Sequence, residues 1–410
     1  MRLNLEVAGI LALGFALFLG ITLVAPSRTG AVGSATVFGL HVLFGVAAGL
    51  FVVLIAVIAA IVFLEINVPR MIATLGAAAC AYFAIVDIAL AASGRDGGWI
   101  GGVLAHGVRV LVDGVGEWYS WPHAVTLLHR AGVRAARFLA PRLLPFPRLA
   151  VNMRNHRKLL LVDGQVAFLG GMNIGGREVG RADHRRMADL HFQLRGPIVA
   201  QLARAFSIDW QFAAAEELTA LPPCGSAGTA ACRAITDGPD EDNDKLLYVI
   251  VGALSVARHQ ILMMTPYFIP QPELTSALQA AALRGVEVSL VLPERSNLRY
   301  VDWASRRWLP PLLERGVRIF LQPAPFSHTK LLIVDGAYAQ IGSANMDLRS
   351  LRLNFEIAVE IYCADTCRQL VAYVEAARGK SAPYTLEFAG RLSLPARTRN
   401  SLFWLLSPYL

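Results

Sequence analysis

Charge is scarce in this chain. Only 17% of its 410 residues are Asp, Glu, Lys or Arg, whereas 55% are hydrophobic. That apolar excess is high for a soluble protein. Acids are the scarcer sign, 30 against 38 Lys and Arg, which leaves a formal net charge of +8. The surplus favours anionic partners (phosphate substrates, acidic lipid headgroups or nucleic acid) and does not choose among them. Cysteine is rare too: Cys80, Cys224, Cys232, Cys363 and Cys367, an odd number at irregular spacing. No Cys-x-x-Cys pair faces a His pair, which argues against zinc, and the irregular set argues against a disulfide framework. The cysteines read as reduced thiols. The glycine-rich stretch GRDGG (94–98) lacks the Gly-Lys-Ser/Thr that would make it a phosphate-binding P-loop.

Long apolar runs are what the N-terminus has instead. Residues 7–25 and 36–64 carry no charge. Each is long enough to cross ~30 Å of hydrocarbon as a helix. A cleaved leader is the weaker reading of the first, because a second span follows at once. Residues 71–93 read as a helix plus a buried strand, and their apolarity also fits a third membrane helix.

The chain also repeats itself. HRKLLLVDG starts at His156 and HTKLLIVDG at His328. Beyond each, DGQVAFLGGMN (163–173) parallels DGAYAQIGSAN (335–345), with the same offset from Asp to Asn. Upstream, RAGVRAARFL (130–139) parallels ERGVRIFLQ (314–322), and HGVRVLVDG (106–114) parallels RGVEVSLVLP (284–293). Each Gly-Val follows a helical stretch and opens a Val/Leu-rich run, the pattern of a helix feeding a buried strand. Two α/β units on mixed sheets are expected. The second begins with a helix at 245–260, a strand at 261–268 and a helix opened by Pro270 and Pro272. A short helix at 99–107 stands at the matching place in the first.

Residues two apart on a strand share a face. His156 and Lys158 should therefore project together, as should His328 and Lys330, with LLLV and LLIV as buried strand beyond them. Two such strands brought together by pseudo-symmetry present two imidazoles and two ammonium groups to one point. The Gly-Gly-Met-Asn and Gly-Ser-Ala-Asn turns add polar donors. That is a phosphate site: lysines and amides neutralise the oxygens, one imidazole attacks phosphorus, and the other protonates the leaving oxygen. The cations come from side chains, so no metal and no cofactor is called for.

These residues resemble the phospholipase D superfamily, whose mark is a duplicated His-x-Lys-x4-Asp motif. More narrowly they resemble the bacterial cardiolipin synthases, on RNHRKLLLVDGQVAFLGGMNIG (154–175), RGPIVAQLARAFSIDW (195–210), TPYFIP (265–270), HTKLLIVDGAYAQIGSANMDLRSLRLNFE (328–356) and FWLLSPYL (403–410). The resemblance implies a phosphatidyl-histidine intermediate, with His156 attacking and His328 as acid and base. It places Lys158, Lys330, Asn173, Ser343 and Asn345 around the phosphate. Asp163 and Asp335 secure the strand-turn geometry. Glu356 and Asp189 orient the imidazoles, each in its own half. Glu356 is expected near His328, favouring its protonated form. Thr329 stands where alanine is commoner in the family.

The organisation expected is a two-helix membrane anchor (1–66), a first phospholipase D-like half (67–220), a linker (221–243), a second half (244–380) and a membrane-proximal tail (381–410). The fold class is α/β, two pseudo-symmetric halves with mixed β-sheets flanked by helices. The expected activity is phosphatidyl transfer between two phosphatidylglycerol molecules, giving cardiolipin and glycerol. Lipid hydrolysis or transfer to other alcohols is the alternative. A nuclease of the same superfamily fits the basic balance but not two membrane spans, so no nucleic acid partner is expected. The bilayer and an anionic phospholipid are the expected partners. The predicted location is a bacterial inner membrane, with the arginine-rich catalytic region on the cytoplasmic side.

Overall fold

The computed structural model describes residues 107–119, 121–140, 153–174, 187–219, 224–239 and 243–407, with isolated positions between 15 and 52. Those isolated positions and Gly107 apart, the predicted spans 7–25 and 36–64, the 71–93 segment and the helix 99–107 lie outside the described residues. So does the arginine-rich stretch 176–186. Among the described residues no helix is long and apolar enough to cross a membrane.

The chain divides into two compact units, one of residues 1–112 and 116–137, the other of 113–115 and 138–410. In the first, strands β1 (Arg109–Asp113) and β2 (Arg134–Phe138) pair beside helix α1 (Ala124–Arg130). The buried Glu117 carboxylate secures this unit, accepting from the Val125 N–H at 2.6 Å and from Arg137. Both His-x-Lys motifs lie in the second unit, so the compact division does not follow the repeat.

The second unit opens with β3 (Leu159–Val162) and β4 (Val166–Gly170), then the short β5 (Met187–Ala188), β6 (His191–Arg195) and helix α2 (Ile198–Ala214). Next come β7 (Ala231–Asp237), α3 (Lys245–Val256), β8 (Gln260–Met264), β9 (Phe268–Ile269), α4 (Pro272–Leu283) and β10 (Glu287–Pro293). Helices α5 (Arg299–Arg306) and α6 (Leu309–Leu313) lead to β11 (Arg318–Gln322), β12 (Phe326–Ser327), β13 (Leu331–Val334), β14 (Tyr338–Gly342) and β15 (Met346–Asp347). The unit closes with α7 (Leu348–Arg352), β16 (Glu356–Tyr362), α8 (Ala364–Arg378), β17 (Ala382–Tyr384), α9 (Leu386–Gly390) and α10 (Leu394–Leu405).

Eight of these strands form one mixed sheet in the order β17-β11-β10-β8-β13-β14-β16-β7. Strands β8, β10 and β11 run parallel, joined by helical crossovers, and the other pairings are antiparallel. Strands β3, β4 and β6 make a separate antiparallel sheet. The two-residue period of β13 explains how the sheets join. Leu332 and Val334 face a core with Leu246 of α3 and Leu278 of α4. Leu331 and Ile333 face a second core with Leu169 of β4, Leu202 of α2 and Leu370 of α8. Burial of each such leucine contributes about 2 kcal/mol, so this shared core ties the halves together.

Three expectations are corrected. Residues 231–237, inside the stretch read as a linker, are β7, paired along its whole length with β16. The LLLV strand is not buried throughout: Leu159 and Leu161 pack on the second core, but Leu160, on the other face of the small sheet, is 56% exposed, whereas β13 has a core on both faces. The His-x-Lys residues lie just before β3 and β13 rather than within them. The helix, strand and helix expected after residue 244 are present as α3, β8 and α4.

Candidate active site

Each motif begins as an extended segment strung along the other half of the repeat. The His156 N–H donates to the Phe355 carbonyl at 2.9 Å, and the Phe355 N–H donates to the Arg154 carbonyl at 2.7 Å. The His328 N–H donates to the Ala188 carbonyl at 2.7 Å, and β12 pairs in parallel with β5. Phe355 precedes Glu356, and Ala188 precedes Asp189. Each histidine is therefore delivered to the other half's carboxylate. His156 Nδ1 lies 2.9 and 3.0 Å from the two oxygens of Glu356. His328 Nδ1 lies 2.8 Å from Asp189 Oδ2. This corrects the expected pairing of Glu356 with His328. The exchange follows from the backbone bridges, which are long-range and invisible in the spacing.

The lysines fold back identically. Lys158 Nζ donates to the His156 carbonyl at 2.8 Å, and Lys330 Nζ to the His328 carbonyl at 2.6 Å. Lys330 Nζ also lies 3.1 Å from both ring nitrogens of His328. The two motifs share one electrostatic site. Burial is the largest influence on both imidazoles and pushes each toward the neutral form, His328 down to about 4. At His156 the Glu356 charge opposes burial, while Lys158 and Lys330 reinforce it. At His328, Lys330 and Lys158 reinforce it and Asp189 opposes. Burial also takes the Lys330 ammonium down to about 7. Burial alone would raise Glu356, but His156, Lys158 and the Ser343 hydroxyl hold it down at about 2. Glu356 is thus ionised and both rings favour neutrality at neutral pH, so the expectation of a His328 protonated by Glu356 is also corrected.

The remaining residues separate. Ser343, expected at the phosphate, is fully buried with its hydroxyl donating to Glu356 and accepting from the Ile357 N–H at 3.1 Å. It supports the carboxylate instead. At the matching place, Gly171 leaves room for Asp189: a Cβ there would sit 2.5 Å from Asp189 Oδ2. Asn345 is buried, donating to Ser350 Oγ at 3.2 Å, and its Oδ1 has no partner among the described residues. Asn173 is exposed. Asp163 and Asp335 each occupy a left-handed turn position, φ 50° and 52°, followed by Gly164 and Gly336 at 66° and 61°. Two successive positive φ values are the hairpin turn that Asp-Gly favours. The Asp335 carboxylate also accepts three backbone N–H groups, from Arg258, His259 and Gln260, at 2.8–2.9 Å. Asn354, which donates to Glu356 at 3.1 Å, was missed, because nothing in the spacing distinguishes it from the exposed asparagines.

Two carboxylate-oriented imidazoles, each followed by its lysine and built from a duplicated motif, make a cationic site with the chemistry to hold a phosphate. Residues 250–377 match the family described as cardiolipin synthase, PLD-like domain. The chain is 36% identical over 312 residues to a cardiolipin synthase of Geobacillus thermodenitrificans, covering 74% of this chain and 61% of that protein. It is 39% identical over 274 residues to the cardiolipin synthase of Alkalihalophilus pseudofirmus, covering 65% and 54%. The chain thus spans about three fifths or less of the length of these relatives. A solved phosphatidylserine synthase of Haemophilus influenzae shares the fold, with a TM-score of 0.53 at 15% identity, over 74% of this chain and 83% of that one.

Proposed function

We propose that the chain is a membrane-bound phosphatidyltransferase that makes cardiolipin and glycerol from two phosphatidylglycerol molecules. The observation that carries the reading is the exchange of carboxylates, which holds each imidazole by Nδ1 and leaves the Nε2 of His156 for phosphorus. His156 is the attacking ring: its side chain is 24% exposed against 7% for His328. Its neutral Nε2 forms a bond to phosphorus as the bond to the departing glycerol oxygen breaks. His328 hands that oxygen a proton. A bound phosphate anion favours the imidazolium, so His328 takes up its proton when substrate arrives. In the second step the acceptor's glycerol hydroxyl gives its proton to His328 and its oxygen attacks phosphorus, releasing His156. Lys158 and Lys330 neutralise the phosphate, and Asn173 and Asn345, each ten residues beyond its motif aspartate, are the amides assigned to do the same.

The apolar runs 7–25 and 36–64 would anchor the chain in a bacterial inner membrane, with halves 67–220 and 244–380 cytoplasmic. Helix α10 suits a membrane-proximal tail. Phe403 and Trp404 pack on Trp303 and Trp308, whereas Leu394, Leu402 and Leu405 are exposed.

Expression in bacteria lacking cardiolipin, followed by lipid extraction, tests the reading. Cardiolipin and glycerol are expected, and neither from His156→Ala or His328→Ala. Phosphatidic acid without cardiolipin would favour the hydrolytic alternative.

A further inference from the structure

The residues on either side of His156 turn to one buried carboxylate. Asn155 Nδ2 donates to Asp209 Oδ2 at 2.9 Å, and Arg157 Nη1 donates to Asp209 Oδ1 at 2.7 Å. Asp209 is 5% exposed, on the inner face of α2. A carboxylate this deep is costly unless paired, so its ion pair with Arg157 must persist in the folded chain. Arg157 reaches further. Its Nε donates to the Glu356 carbonyl at 3.0 Å and its Nη2 to the Asp237 carbonyl at 3.4 Å, with the guanidinium 5.8 Å from the Phe355 ring centre. One guanidinium thereby fixes the backbone of His156's neighbour and the backbone of the carboxylate that orients His156.

The other motif is held differently. Thr329 occupies the place of Arg157, and its hydroxyl lies 3.3 Å from the Tyr373 hydroxyl on α8. Helices α2 and α8 follow the last strand of each half. A buried ion pair thus serves the first histidine where a neutral hydrogen bond serves the second.

We propose that Asp209 is a positioning residue for the His156–Glu356 pair, acting through Arg157 and Asn155. The inference rests on His156 being the attacking ring. Loss of the clamp lets the ring and its carboxylate shift apart. A displacement near 1 Å at a reacting group costs on the order of 100-fold in rate.

The test uses the full chain in mixed micelles, with a nitrophenyl ester of a phosphatidyl group as donor. Burst amplitude counts active sites, burst rate reports adduct formation, and peptide mapping locates the adduct. Asp209→Asn keeps the size and an acceptor for Asn155 but loses the ion pair. It should lower the burst rate and kcat per titrated site by about 10- to 100-fold, with KM within about twofold. Arg157→Lys keeps charge without the fork and should do the same. The double variant Asp209→Asn with Arg157→Gln should be no slower than the slower single one, because both act through one pair. Thr329→Val should leave the burst rate at His156 within about threefold. A purely structural role would reduce the number of active sites while leaving kcat per site unchanged. That outcome in Asp209→Asn overturns the inference, and Arg157→Lys decides it if Asp209→Asn does not fold. An adduct on His328 in the unaltered protein would instead refute the functional reading.

Discussion

Replacing Glu356 by Gln separates the two histidines. The carboxylate accepts from His156 Nδ1, from Ser343 Oγ and from Asn354 Nδ2. A glutamine has one acceptor oxygen, so at least one of the three donors meets an amide N–H. Losing a buried charged hydrogen bond costs about 1.5–3 kcal/mol. If that loss falls on the transition state, the rate falls about 10- to 150-fold. Burial lowers the His156 pKa and Glu356 opposes it. Without Glu356 the pKa drops further, so the acid limb of adduct formation, which needs the neutral ring, should move to lower pH. The assay is a rapid-quench burst with a nitrophenyl phosphatidyl donor, whose leaving group needs no acid. Glu356→Gln should slow labelling of His156. Asp189→Asn should leave the burst nearly intact and slow turnover, because His328 loses its partner. The opposite pattern, Asp189→Asn slowing the burst and Glu356→Gln sparing it, would refute the crossed pairing on which the mechanism stands.

Three further outcomes are expected. Lys330, brought down to about 7 by burial, loses its charge as pH rises through that value; kcat/KM should fall on that alkaline side, kcat only at higher pH because bound phosphate raises the pKa, and Lys330→Arg should remove the limb near 7. Asp335→Asn keeps the left-handed turn but loses the charge to which three N–H groups donate, so thermal unfolding should show a loss of about 2 kcal/mol, a Tm drop of about 4–8 °C. The Asp335 pKa lies below the ordinary carboxylate value despite burial, because those N–H groups outweigh it, so its stabilisation is present at neutral pH and lost as pH falls through the folded pKa. Gly171→Ala would set a methyl against the Asp189 carboxylate, and circular dichroism should show a folded chain whose turnover has dropped at least tenfold, whereas Gly252→Ala, where a Cβ meets nothing, should be silent.

What the sequence determined by itself is local. The repeated His-x-Lys-x4-Asp spacing, the Asp-Gly hairpin turns and the helix opened near Pro272 rest on short-range rules, namely strand period, left-handed turn tolerance and a proline's missing N–H. The continuous apolar run LLIV likewise marked a buried strand. What only the tertiary structure decided depends on partners far apart in the chain. β7 is a strand because β16 offers it an open edge, which a glycine- and acid-rich stretch cannot announce. LLLV and LLIV read alike, yet one packs a single face on a core and the other packs both, because exposure belongs to the sheet and not to the segment. Ser343 and Gly171 occupy one repeat position, and packing turned the first into a donor for Glu356 and the second into space for Asp189. The exchange of carboxylates was the least accessible of all. Glu356 follows His328 by 28 residues and serves His156, 200 residues away, because backbone bridges at Phe355 and Ala188 thread each motif along the opposite half.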